Sequence, residues 1–268
     1  MIKGFNFKDK YNVQDLVDIM RILREPGGCP WDAEQDHESI KKNFIEETYE
    51  VIEAINKKDL SLLREELGDV LMQVVFHAQI ETELGNFNFD DVCDEVCKKL
   101  IVRHPHVFAS ETVENSADVL VKWDEIKKKT KKQSTQTSVM NSIPRELPAL
   151  MRAEKVQGKA AKVGFDWDDA SGAFDKISEE TAELKQAISE SDADAMTDEL
   201  GDLLFSVVNV SRFIGVDAED ALTRATDKFI GRFSVVEKLA EEKGIDMKTA
   251  SLEKLDELWD EAKNMRNQ

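Results

Sequence analysis

With 268 residues and a formal charge of -19, the chain carries a general negative field that repels polyanions and argues against sequence-independent binding to a nucleic-acid backbone. Gly (12) and Pro (5) are scarce, so few tight turns are available and long helices are favoured over many short strands. Cys29, Cys93 and Cys97 form neither a CxxC nor a zinc-finger spacing, the opening MIKGFNFKDKYNVQDL has no apolar signal core, and no stretch approaches the roughly 20 apolar residues of a membrane span. A reduced, cytoplasmic chain is expected.

Residues 12–24 (NVQDLVDIMRILR) place Val13, Leu16, Val17, Ile19, Met20 and Leu23 on one helical face, and the turn cluster Pro26-Gly27-Gly28 ends that helix. Further helices are predicted from about Ser39 to Lys57, Leu60 to Leu84, Asp90 to Arg103 and Ala117 to Lys128. Gly85-Asn86, a loop around His104-Pro105-His106 and the polar stretch 109–116 punctuate them. Residues 127–142 (KKKTKKQSTQTSVMNS) then lose all hydrophobic periodicity and read as a linker or mobile loop. Its five lysines have no aromatic residue among them, which disfavours a nucleic-acid tail.

Beyond this stretch the first half returns. FIEETYEVIEAI (44–55) is answered by KISEETAELKQAI (176–188), and EELGDVLMQVVFHA (65–78) by DELGDLLFSVVNV (198–210). KKLIVR (98–103) is answered by DKFIGR (227–232), and KWDEIKKK (122–129) by LWDEAKNM (258–265). Four acidic positions shift by the same 133 residues, Glu47 to Glu180, Glu50 to Glu183, Glu66 to Glu199 and Asp69 to Asp202. A match in residue type and spacing indicates duplication. The predicted architecture is all-α, with tandem duplicated helical-bundle domains over 1–130 and 146–268 joined by a polar, basic linker over 131–145.

Glu47 and Glu50 at i,i+3 share one helix face, and Glu66 and Asp69 repeat the arrangement on the next helix after a short connection. Four converging carboxylates repel one another, and a hard, oxygen-seeking cation relieves them; with no paired His or Cys the set selects Mg²⁺, with Mn²⁺ as a substitute, over Zn²⁺. Val70, Leu71, Val74 and Val75, with Leu203, Leu204, Val207 and Val208, are expected on the inner faces beside the acids. Gly68 and Gly201 cost about 1 kcal/mol each inside a helix relative to Ala, for which close approach of another helix or a ligand is the expected reason. A lone ExxE on an acidic protein is usually a solvated face; duplication of the whole set is what favours a site.

Lys99 and Arg103 recur as Lys228 and Arg232 at the same i,i+4 spacing, and Trp123 and Lys127 as Trp259 and Lys263. The cations could complement helix C-termini or bind phosphate oxygens, and the Trp could plug a core or stack on a base. Within the duplicated set, metal, phosphate ligands and an aromatic plane together describe a nucleotide. His37, His77, His104 and His106 are read as structural or surface residues. No G-x-x-x-x-G-K-[ST] or G-x-G-x-x-G occurs.

At Glu46, Glu47, Glu50, Glu66 and Asp69, repeated as Glu179, Glu180, Glu183, Glu199 and Asp202, the chain resembles the MazG family of nucleoside triphosphate pyrophosphohydrolases in its two-domain form. GGCPWD (27–32), KAAKVGFDW (159–167) and the paired Trp and Lys endings extend the resemblance over nearly the whole chain, and Asp36 stands where Thr is expected. The resemblance implies an all-α fold, Mg²⁺ dependence and hydrolysis of a nucleoside triphosphate to the monophosphate and pyrophosphate. It implies Glu180, Glu183, Glu199 and Asp202 as metal ligands and Lys176, Lys228, Arg232, Trp259 and Lys263 as nucleotide-binding residues. The same roles fall on Glu47, Glu50, Glu66, Asp69, Lys99, Arg103, Trp123 and Lys127. Glu46 and Glu179 are candidates to orient or deprotonate the attacking water. A homodimer is expected from the apolar stripe on each helix. A nucleotide-binding regulatory module without turnover is the alternative, and a scaffold with solvated acids a third reading.

Overall fold

In a computed structural model, residues 5–109, 115, 118, 119, 122, 123, 126 and 135–265 are described. The chain divides into two compact units, residues 1–127 and 128–268.

In the first unit the helices are α1 (Val13–Arg24), α2 (Pro30–Glu34), α3 (His37–Lys57), α4 (Leu60–Leu84), α5 (Phe89–Arg103) and α6 (Pro105–Phe108). Asn12 starts α1: its Oδ1 accepts from the amides of Gln14 (2.9 Å) and Asp15 (3.2 Å), and Asp15 accepts from the Asn12 amide in return. Met20 is the buried face of α1 and packs with Ile40, Val75, Phe76 and Ile80. The centre of the unit is the hairpin of α3 and α4. Lys58 takes the left-handed conformation (φ 56°), and Asp59 caps α4 by accepting from Ser61 and Leu62. So short a connection makes the two helices antiparallel neighbours.

In the second unit the helices are α7 (Gln136–Asn141), α8 (Ala149–Ala161), α9 (Ala170–Glu190), α10 (Ala193–Phe213), α11 (Ala218–Glu242) and α12 (Leu252–Met265). The hairpin recurs between α9 and α10, with Ser191 left-handed (φ 57°) and Asp192 accepting from Asp194 and Ala195. Lys58 and Asp59 lie 133 residues before Ser191 and Asp192, so the duplication reaches the turn itself. A second core joins α11 to α12 around Val236, Leu239, Ala240, Leu258 and Ala262.

The structure departs from the sequence reading in four places. Part of the stretch read as linker or loop is helix α7, capped by Thr135 accepting from the Ser138 amide and anchored by buried Val139. His104-Pro105-His106 is not an open loop: Pro105 stands at the first position of α6, where it needs no amide donor. Of the apolar residues expected on inner faces, Val75 and Val208 are buried, but Leu71, Leu204 (48% exposed) and Val207 are not, because the helical repeat turns them away from the partner helix. Among the described residues, no group lies within 4 Å of the space a Cβ would take at Gly68 or Gly201, so the helix contact expected there is not made. The helix expected at 117–128 falls largely outside the described residues, as does Lys127. No described helix is long and apolar enough to cross a membrane.

Candidate metal and nucleotide site

The α3–α4 hairpin brings carboxylate oxygens of Glu47, Glu66 and Asp69 within 4.8 Å of one another. Glu66 is 9% exposed, unusual for an acid with no cationic partner among the described residues. Burial, and then the charges of Asp69 and Glu50, hold the Glu47 carboxyl above the ordinary carboxylate range. Burial, Glu50 and Asp69 do the same to Glu66. Glu50 therefore faces the cluster although its oxygens are not in the tightest group, whereas exposed Glu46 is not part of that group.

The α9–α10 hairpin rebuilds the cluster in two overlapping groups, Glu179, Glu180 and Glu183, and Glu180, Glu199 and Asp202, each within 4.8 Å. Glu180 is common to both and 4% exposed. Burial pushes Glu183 and Glu199 upward, with the neighbouring acids adding to it. Glu180 goes the other way, because Lys176 donates to it. Lys176 also lies 3.0 Å from Glu179, and the pair of acids holds the ammonium well above its usual range.

Crowded carboxylate oxygens gathered around one buried acid in each hairpin suit a small divalent cation better than any other occupant, so each donor set fits the metal its residue types imply.

The cations and aromatics gather elsewhere in the second unit. Arg232 lies over Trp259 (5.9 Å to the ring centroid), and Phe229 contacts the same ring at 5.1 Å. Arg232 and Lys228 line a cleft of about 750 Å³ that also includes Val216, Asp220 and Arg224. The Arg232 Nε is buried and, among the described residues, has no hydrogen-bond partner. Lys263 is drawn to Asp260 (2.8 Å). Among the described residues, no hydrogen bond or ion pair joins Lys228, Arg232, Trp259 or Lys263 to the acidic quartet of that unit. In the first unit Lys99 is exposed and Arg103 half-buried, while Trp123 meets His104 edge-on at 4.8 Å with its buried Nε1 unpartnered among the described residues.

Sequence reasoning passed over Arg224, one helical turn before Lys228 on the same stripe; the i,i+4,i+8 spacing of Arg224, Lys228 and Arg232 was the available signal. The histidines also gain partners: the Nδ1 atoms of His37 and His77 lie 2.7 Å apart, and His37 Nε2 meets Glu81 at 2.5 Å.

Two carboxylate hairpins suited to a divalent cation, in an all-helical chain that sets Arg224, Lys228 and Arg232 along one cleft, define the class, and comparison gives it its family. Residues 35–108 and 172–236 each match the MazG nucleotide pyrophosphohydrolase domain. The chain is similar to the nucleoside triphosphate pyrophosphohydrolase of Escherichia coli K12, 45% identical over 256 residues, covering 94% of this chain and 97% of that protein. It is 48% identical over 252 residues to the nucleoside triphosphate pyrophosphohydrolase/pyrophosphatase MazG of Thermotoga maritima, covering 93% of this chain and 95% of the relative. To YabN of Bacillus subtilis it is 48% identical over 246 residues, 91% of this chain but 50% of that protein. The chain belongs to the MazG family.

Proposed function

We propose that the protein is a Mg²⁺-dependent nucleoside triphosphate pyrophosphohydrolase that cleaves between the α- and β-phosphates to give the monophosphate and pyrophosphate. The observation that carries this reading is the pair of carboxylate hairpins, each with one buried acid (Glu66, Glu180), in which acids from two helices approach within 4.8 Å. Its support beyond the site is the family and the printed activity of its near full-length relatives.

In this reading Glu47, Glu50, Glu66 and Asp69, and likewise Glu180, Glu183, Glu199 and Asp202, hold the metal. Bound there, Mg²⁺ neutralises phosphate oxygens and lowers the pKa of the attacking water. Glu179, outside the group that Glu180 forms with Glu199 and Asp202 and bridged to Glu180 by Lys176, orients or deprotonates that water; Glu46 is its counterpart. Lys176, Lys228 and Arg232 compensate the charge of the departing pyrophosphate, with Trp259 and Lys263 beside the nucleoside. In the first unit Lys99, Arg103, Trp123 and Lys127 take the corresponding roles. The basic stripe favours the second copy as the main site: Arg224 corresponds to Glu95 when Lys228 is set on Lys99.

An acidic enzyme that binds an anion is reconciled by a substrate that arrives as its metal complex. The apolar residues left outward on the hairpins, Leu71, Leu204 and Val207 among them, are proposed to pair two copies in a homodimer. Domain limits of 1–130 and 146–268, and a cytoplasmic location with Cys29, Cys93 and Cys97 reduced, complete the proposal.

Incubation with each nucleoside triphosphate and Mg²⁺ while both pyrophosphate and orthophosphate are measured tests it. Pyrophosphate in step with monophosphate is expected; orthophosphate release overturns the cleavage position, and nucleotide binding without turnover supports a regulatory module instead.

A further inference from the structure

The two quartets match in every acid but differ in what stands one turn before them. Lys176 precedes Glu180 by four residues, and the 133-residue shift places Asn43 at the corresponding position before Glu47. In the second copy the Lys176 ammonium sits on Glu180, the one carboxylate shared by both metal-suited groups, and 3.0 Å from Glu179. In the first copy, among the described residues, no Lys or Arg pairs with Glu47, Glu50, Glu66 or Asp69.

We infer that Lys176 is a built-in placeholder for the cation, so the copies load metal differently: the first accepts a divalent cation from solution, the second takes it together with the nucleotide. This rests on the metal reading proposed above.

The argument is one of charge and position. An exposed i,i+4 pair is worth little, but the Glu180 side chain is 6% exposed, so its partner replaces lost solvation rather than adding to it. A cation entering alone must break that pair and then remain beside a displaced ammonium, which repels it. Lys176 is 35% exposed on a flexible four-carbon stem, so it can swing outward without disturbing α9. A triphosphate removes both obstacles, since its oxygens receive the ammonium while its metal receives Glu180. Asn43 presents neither obstacle: its amide carries no charge to displace.

Mn²⁺ titration of the metal-stripped full chain tests this, with free Mn²⁺ counted by electron paramagnetic resonance and a non-hydrolysable α,β-methylene triphosphate added afterwards. Wild type is expected to bind one Mn²⁺ that Glu66→Gln abolishes, and a second about tenfold or more weaker that Glu199→Gln abolishes and the analogue recruits. Lys176→Asn tightens the second about tenfold without the analogue, and the reciprocal Asn43→Lys weakens the first by a similar factor. Far-UV circular dichroism confirms that each variant keeps its helices. Two Mn²⁺ ions of equal affinity in wild type, or a second affinity indifferent to Lys176→Asn, overturns the inference and leaves the metal reading standing. No Mn²⁺ bound under any condition overturns the metal reading itself.

Discussion

Removing one negative charge has opposite consequences in the two hairpins and opposite consequences again when metal is present. In metal-free protein, burial and the neighbouring acids hold Glu47 above its ordinary range, so the native state binds more protons than the unfolded chain. Stability therefore falls as pH rises through the interval between the unfolded and folded values, and is recovered on acidification. Above that interval Glu47→Gln removes a desolvated charge at nearly constant shape, and the first unit should melt higher. Glu180→Gln should do the reverse: Lys176 holds Glu180 below its ordinary range, so the substitution strands a half-buried ammonium.

Metal reverses the first of these signs. At a concentration one hundred times Kd a bound cation adds about 2.7 kcal/mol, on the order of 5–10 °C in melting temperature for a unit of this size. Losing one charged ligand weakens binding roughly 10- to 100-fold, which leaves about 1.4 to 0.4 kcal/mol at the same concentration. Glu47→Gln is thus expected to melt above wild type in chelator and below it in saturating Mg²⁺, a crossing read by differential scanning calorimetry on the full chain. A wild-type melt indifferent to Mg²⁺, or a variant below wild type in both conditions, would refute the reasoning and leave the acids as a solvated face.

Arg24→Met should cost about 2–4 kcal/mol in urea unfolding of the first unit. The Arg24 fork donates to both Glu83 oxygens at 2.9 Å and to the carbonyls of Asp32 (2.5 Å) and Gln35 (3.0 Å) from a side chain 5% exposed; an unchanged midpoint contradicts this account. Gly28→Ala places a Cβ 2.3 Å from the Ile22 carbonyl oxygen and 2.4 Å from that of Leu23. Backbone cannot yield there, so a loss of about 2 kcal/mol or more is expected, with urea unfolding again the measurement. In pyrophosphate-release assays Glu199→Ala should lower turnover about 100-fold and Glu66→Ala less; the reverse order would show the first copy to be the main site. Arg224→Ala should raise KM for the nucleotide about tenfold with a smaller change in kcat, since it lines a cleft to which none of Glu180, Glu183, Glu199 and Asp202 contributes. An unchanged KM removes Arg224 from the binding surface.

Much of this was legible from periodicity. The α1, α4 and α5 limits follow from apolar spacing and from turn residues such as Gly85, which caps α4 in the left-handed conformation (φ 74°). The convergence of Glu47, Glu66 and Asp69 follows because i,i+3 acids on adjacent antiparallel helices must meet. Less was legible where a pairing depends on distant residues. Nothing in the run EPGGCPWD announces that Arg24 will reach Glu83, 59 residues away, and nothing in the helical pattern alone says which apolar stripe faces a partner and which faces out. The short helices α6 and α7 escaped for another reason: 4 and 6 residues are too few for a helical repeat to show.

The differences between the copies bear on why both persist. Asn209 on α10, two turns beyond Asp202, answers Phe76 on α4; Phe76 packs into the core with Met20, whereas Asn209 accepts hydrogen bonds from Arg212, which in turn pairs with Asp166. Together with Lys176 for Asn43 and Arg224 for Glu95, the substitutions move polar and cationic groups into the second copy. A redundant first copy under no demand would be free to lose Glu66, whose burial beside other acids costs stability. That it keeps all four acids with no cation paired to them among the described residues favours a standing metal there, and the proposed division of labour follows: a first unit completed by its cation alone, and a second that completes its site only when the substrate displaces Lys176.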